Sequence, residues 1–276
     1  MTPPEPSSLP GPALLFCPAD RPDRYGKALA AADAVIVDLE DGVGADGKDG
    51  ARAALAAALL SGDLDPARII VRVNAAGTPE HAADMTALRR TGYRTVMLPK
   101  TETRAQLNEF GDDWQVVALC ETPLGIVNAA EIAAAPNVIA VMWGAEDLIA
   151  SMRGRTSRLP GGRYRDVALH ARSAVLLAAS AYGRLAIDAV YVNIPDLDGL
   201  AAEAEDAAAS GFTLKACIHP SQVAVVRKAF EADEAQIAWA RRVIAAARDK
   251  GAVKVDGQMI DAPLIRQAEA ILASLR

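Results

Sequence analysis

Short apolar runs rich in β-formers recur along the chain at Ala13–Pro18, Ala34–Glu40, Ile69–Asn74, Thr95–Lys100, Gln115–Thr122, Ile139–Gly144, Ala189–Ile194 and Leu214–Pro220. Between them lie alanine-rich stretches with helical spacing, among them Asp23–Ala32, Lys48–Leu60, Glu80–Thr91, Asp166–Ala181 and Leu197–Ser210. Parallel strands need crossover connections, and closing the sheet removes its exposed edges, so strict alternation of strand and helix predicts the α/β class and a (β/α)8 TIM barrel. A doubly wound sheet is the alternative, but no G-x-G-x-x-G follows the first strand.

The pattern is less regular after Gly144, where Arg153–Thr156 and Pro160–Gly162 interrupt it and predict an elaborated surface loop. A long helical segment over Ser221–Arg248 is followed by a Gly-rich hinge at Gly251–Gly257 and a final amphipathic stretch, Pro263–Leu275. These elements exceed what a barrel needs. The expected division is a flexible, proline-rich N-terminal tail over 1–12, a barrel catalytic domain over 13–248 and a C-terminal helical lid over 249–276.

Composition narrows the class. Of the 276 residues 51% are hydrophobic, enough for a large core, and the formal net charge of −6 argues against nucleic acid or an anionic membrane as partner. Cys17, Cys120 and Cys217 lie far apart with neither disulfide nor zinc spacing, and no secretory signal or membrane span is evident, so a reduced cytoplasmic protein is expected.

Barrel enzymes place their chemistry at the carboxyl ends of the strands, and here those ends are polar. The second strand closes on Asp38-Leu39-Glu40-Asp41-Gly42, the third carries Arg72 and Asn74, and the fifth closes on Glu121-Thr122-Pro123. The sixth leads into Gly144-Ala145-Glu146-Asp147, and the eighth ends at His219-Pro220. Alternation puts Asp38 with Glu40 on one face, and Arg72 with Asn74. An inward salt-bridge plug is the structural reading, although burying that many charges without function would be costly. Two carboxylates on neighbouring strands suit Mg2+, which takes oxygen ligands and keeps open positions. The separated His81, His170 and His219 make no zinc spacing, and no G-x-S-x-G elbow occurs. Arg72 offers a forked cation for a carboxylate or enolate oxygen, with Glu40 as its structural partner.

The ordered set Phe16–Pro22, Asp38–Gly42, Val71–Asn74, Leu98–Lys100, Glu121–Pro123, Gly144–Leu148 and Ile218–Gln222 resembles the citrate lyase β-subunit family, whose looser relatives are metal-dependent 2-keto acid aldolases. The resemblance implies Mg2+ at Glu121 and Asp147, substrate contact by Arg72 with Glu40 in the same pocket, and Gly144 and Ala145 beside the substrate. It implies that the Pro18–Pro22 loop meets CoA, with Arg21, Asp20 and Lys48 as candidate contacts and Lys100 and Lys215 as weaker ones. Arg153, Arg155 and Arg158 are read as a basic surface loop that could also meet phosphates. The tail Gly257–Pro263 is similar to a lid that reaches a neighbouring subunit in free-standing members. Asp261 is then a candidate general acid/base, with a helix N-cap as its structural role. The expected activity is a Mg2+-dependent carbon–carbon lyase acting on a malyl-CoA or citramalyl-CoA type thioester, in a homotrimer. A 2-keto acid aldolase without CoA and a non-catalytic acyl-CoA-binding barrel are the alternatives.

Overall fold

Side chains of alternate strand residues, including Leu14, Ile36, Ile70, Met97, Leu119, Met142, Ile187 and Ala216, converge in one buried cluster. Each such Leu or Ile contributes about 2 kcal/mol on leaving water. The computed structural model describes residues 9–248 and 252–275. Its first unit, up to Val226, is built on the closed barrel order β1 to β8, every pair parallel and β1 closing onto β8.

The strands and helices run β1 (Ala13–Pro18), α1 (Tyr25–Ala31), β2 (Ala34–Asp38), α2 (Lys48–Ser61), β3 (Ile69–Arg72), α3 (Pro79–Arg89), β4 (Thr95–Leu98) and α4 (Arg104–Asn108). They continue as β5 (Gln115–Cys120), α5 (Pro123–Val127), α6 (Ala129–Ala133), β6 (Val138–Trp143), α7 (Ala145–Ser151), α8 (Asp166–Ala181), β7 (Leu185–Asp188), α9 (Leu197–Ser210), β8 (Leu214–Cys217) and α10 (Pro220–Phe230). Among the described residues no helix is long and apolar enough to cross a membrane.

Three expectations need correction. The seventh strand is Leu185–Asp188, ahead of the predicted Ala189–Ile194, which runs on as loop. Asp188 explains the shift. Its carboxylate, wholly buried, accepts from Lys215 Nζ at 2.8 Å, Arg172 Nε at 2.9 Å and Trp143 Nε1 at 2.8 Å, tying β7 to β8, α8 and β6. Burial alone would raise the Asp188 carboxyl, but Lys215 and Arg172 hold it below its usual range. Lys215 also reaches Glu203 at 3.0 Å and is fully buried, so it is a structural cation on the outer face of the barrel. Lys215→Met is expected to cost about 3 kcal/mol, because it strips charge compensation from buried Asp188. Urea unfolding checks this, and a loss within error of zero would mean Arg172 alone suffices.

The second correction concerns the long helical segment, which breaks into α10 and α11 (Glu234–Ala247), with a capping box from Asp233 and Gln236 starting the latter. Third, the expected hinge supplies the first strand and the turn of an antiparallel β-hairpin, β9 (Val253–Val255) and β10 (Gln258–Ile260). Its turn is Asp256-Gly257, both at positive φ (49° and 85°), a two-residue connection matching the twist of paired strands. Gly251 lies outside the described residues.

The second unit, Arg227–Arg276, has its own core: Ala240 and Val243 of α11, Val255 and Ile260 of the hairpin, and Ala268 of α12 (Ala262–Ala273). The compact division thus begins earlier than residue 249. Of the expected tail, 1–8 lies outside the described residues, whereas Leu9 packs on the barrel cluster and the Pro12 carbonyl accepts from Lys215 N–H at 2.9 Å.

Candidate active site

The inward parity that buries Ile36, Ile70, Leu119 and Met142 carries on to Asp38 and Glu40, Arg72, Glu121 and Gly144, and so brings them together at the carboxyl end of the barrel. In the β2–β3 register Asp38 lies beside Arg72. The Arg72 fork closes on Asp38, Nε to Oδ1 at 2.7 Å and Nη2 to Oδ2 at 2.6 Å. Asp38 is fixed in turn by the N–H groups of Glu40 (2.9 Å) and Gly42 (2.8 Å). Glu40 is therefore the secondary partner of Arg72, its Oε2 lying 3.0 Å from Nη1 but buried without an aligned hydrogen bond. Phe16 packs under the guanidinium, 5.0 Å from ring centre to Cζ.

Glu121, next to the end of β5, is only 3% exposed. Its Oε1 accepts from the Lys100 backbone N–H at 3.1 Å. Burial, then the charges of Asp147 and Glu40, push its carboxyl up to about 8. Burial likewise raises the Glu40 carboxyl. Asp147, in the first turn of α7, is more open. Lys100 Nζ lies between these groups, bonded to Glu40 Oε1, 3.8 Å from Asp147 Oδ1 and 4.0 Å from Glu121 Oε1. Gly144 is required by this packing, because a Cβ there would stand 2.8 Å from both Cβ and Oε2 of Glu121. Gly144→Ala is expected to displace Glu121 and lower turnover about 10²-fold, the usual effect of a misplacement near 1 Å. Steady-state kinetics check it, and wild-type turnover would show that Glu121 has room to yield.

Gly144 N–H is used on Cys120 O at 3.3 Å, while Ala145 opens α7, where an N–H has no intrahelical acceptor. Asp20 and Arg21 are exposed after β1, with Arg21 forked onto Asp23 at 3.1 Å. Lys48 gives its protons to Leu39 O, Glu40 O and Asn74 Oδ1 at 2.7–3.0 Å, which ties the β2 and β3 ends together. In the basic loop Arg153 and Arg155 are exposed, but Arg158 pairs with Glu203 at 2.7 Å and stacks on Tyr164. Asp261 occupies the N-cap position of α12, yet its side chain makes no cap hydrogen bond. The sequence reading missed Asp38 as the Arg72 clamp and Lys100 as a pocket residue. The first was signalled by the strand parity that pairs it with Glu40; the second closes the fourth strand run at Leu98-Pro99-Lys100 but reads there only as a weaker CoA contact.

Residues 13–220 match the profile of the HpcH/HpaI aldolase/citrate lyase family. The chain belongs to this family. Within it, a citrate lyase subunit beta-like protein of Mycobacterium tuberculosis is 56% identical over 263 residues, covering 95% of this chain and 94% of that protein. The human mitochondrial citramalyl-CoA lyase is 32% identical over 291 residues, covering 95% of this chain and 84% of the enzyme. The crystal structure of protein CitE from M. tuberculosis, in complex with magnesium, acetoacetate and coenzyme A, superposes with a TM-score of 0.91 at 55% identity, covering 96% of this chain and 97% of that one. As a member of the aldolase/citrate lyase family, the chain is a carbon–carbon lyase.

Proposed function

We propose that this lyase uses Mg2+ to make or break the bond between the α and β carbons of a β-hydroxyacyl-CoA of malyl-CoA or citramalyl-CoA type, with acetyl-CoA and an oxo acid as the other pair. The observation that carries the reading is the pairing of buried Glu121 with Asp147 beside a clamped Arg72. The residues fit a dication. Among the described residues the cations paired with Asp38, Glu40, Glu121 and Asp147 are Arg72 and Lys100; once Glu121 gives up its proton, these four carboxylates leave an excess of negative charge that Mg2+ would balance, and the donors are all oxygens. Among the described residues no group of three or more His, Cys, Asp or Glu side chains is placed to hold a metal ion, so a shell on Glu121 and Asp147 would need water and substrate to complete it.

Bound there, Mg2+ supplies Lewis-acid polarisation of the oxo acid's oxygens. Arg72, held at both edges by carboxylates, presents a preorganised cation to the substrate carboxylate or to the developing enolate oxygen. Cleavage needs a base to take the β-hydroxyl proton as the carbon–carbon bond breaks, its electron pair passing into the thioester enolate; that carbon then takes up a proton to give acetyl-CoA. We assign the proton transfer to Asp261, contributed by a neighbouring copy in a homotrimer, because it is exposed and its carboxylate is not used as a cap. Arg21, with Asp20 beside it, is the candidate for the CoA phosphates, which would compete with Asp23 for its fork. Lys48, tied to the barrel, would act on CoA only by holding this end of the barrel in shape. Cys17, Cys120 and Cys217 are buried and none is in a disulfide among the described residues, which suits a reducing cytoplasmic setting.

A substrate panel tests the proposal. Malyl-CoA or citramalyl-CoA should be split to acetyl-CoA and an oxo acid, free hydroxy-keto acids should not, and Asp261→Ala should lower turnover while keeping Mg2+ binding. Exchange of subunits between Asp261→Ala and Arg72→Ala proteins should restore part of the activity. Turnover confined to free keto acids would make the chain a 2-keto acid aldolase, and exchanged mixtures that recover nothing would remove the shared site.

A further inference from the structure

We propose that Lys100 is a tethered, displaceable cation that neutralises the carboxylate pocket in the metal-free protein and sets Mg2+ affinity by competing for the same charges. The inference rests on the reading of Glu121 and Asp147 as the metal-holding pair.

Two cations share this pocket, and they are held differently. Arg72 is locked by its fork on Asp38, by Glu40 and by the Phe16 ring. Lys100 makes one short contact, to Glu40 Oε1, and otherwise stands 3.8–4.0 Å from Asp147, Glu121 and Asp41, central to all three but bonded to none. Its backbone is fixed where its side chain is not. The residue sits at φ 49°, a left-handed conformation uncommon for a side chain of this size, and its N–H is bonded to Glu121 Oε1. The side chain is 35% exposed, so a flexible four-carbon stem carries a compact charge with a path to solvent.

A dication on Glu121 and Asp147 would stand within a few ångströms of that ammonium. At such separations, in a pocket closed by Asp38, Glu40 and Glu121, like-charge repulsion is comparable in size with the attraction drawing the metal in. The ammonium's seat and the metal's affinity are then thermodynamically linked: whatever favours one disfavours the other. In the metal-free protein Lys100 offsets repulsion among the carboxylates, and on loading it moves toward the pocket mouth.

Isothermal titration of Mg2+ into wild type, Lys100→Met and Glu121→Gln at one pH and ionic strength tests this, with melting curves of each protein with and without metal. Lys100→Met should bind Mg2+ about three- to ten-fold more tightly, the upper value being one decade for removal of a partly screened charge. Its metal-free form should melt below wild type, and the gap should shrink on loading. If Lys100→Met does not fold, Lys100→Gln, which keeps a donor for Glu40, replaces it with the same expectation. Unchanged or weaker binding in the folded variant, with wild type binding normally and Glu121→Gln impaired, would overturn competition and leave Lys100 as a support for Glu40. A wild type that binds no Mg2+, or a Glu121→Gln variant that binds it as well as wild type, would instead overturn the metal assignment and this inference with it.

Discussion

Glu121→Gln and Asp147→Asn are each expected to lower Mg2+-dependent turnover on the order of 10³-fold or more, with the fold intact, because each removes a charged oxygen from a two-carboxylate shell. The Glu121 variant carries a second expectation. The wild-type Glu121 carboxyl is pushed up to about 8 in the metal-free protein, so folding holds a proton that the unfolded chain has released well below that pH. Metal-free stability should therefore decline as pH rises from the ordinary glutamate range toward 8, and Glu121→Gln should remove the decline. Mg2+ must displace the same proton, so wild-type affinity should rise with pH by up to about ten-fold per unit and level off above 8. Titration calorimetry between pH 6 and pH 9, assay conditions anchored on that value, checks the slope. Affinity independent of pH would mean that Glu121 is already ionised without metal, and full activity of both variants in excess Mg2+ would remove the pair from the chemistry.

Arg72→Lys is expected to lower kcat/KM about 10²- to 10³-fold. A lysine keeps the charge but loses the planar fork that Asp38 holds at two points. The ammonium would settle on one carboxylate and leave the other acidic groups of a buried cluster short of a partner, at a cost to stability of about 1 kcal/mol. A structural role and a role toward substrate separate cleanly here. If Arg72 only holds Asp38 and Glu40 together, the variant should melt lower while its folded fraction keeps near-normal kcat/KM. If it meets the substrate carboxylate or enolate, kcat/KM falls even where the protein is fully folded.

The barrel was legible because each strand repeats one instruction, apolar inward at every second residue, and because the same parity carries Asp38, Glu40, Arg72 and Glu121 to the carboxyl end. What escaped depended on distant partners. Ala189–Ile194 has the composition of a strand, but β7 ends at Asp188 because Lys215, a strand away, and Arg172, on the preceding helix, fix it there. Lys100 reads only as a weaker CoA contact after Leu98-Pro99, and its left-handed backbone and the carboxylates of three other segments are what bring it into the pocket. Local information misread once as well: Asp256-Gly257 is a strong hairpin signal, hidden by its place in a segment rich in glycine and valine.

Glu121 and Asp147 are proposed to hold the catalytic dication together. Anomalous diffraction from crystals grown with Mn2+ in place of Mg2+, and with pyruvate or another oxo acid, tests this most directly. One strong peak is expected at bonding distance, about 2.0–2.2 Å, from a carboxylate oxygen of each residue, with the oxo acid completing the shell. A peak held by other side chains, or an empty pocket at saturating metal, would contradict it.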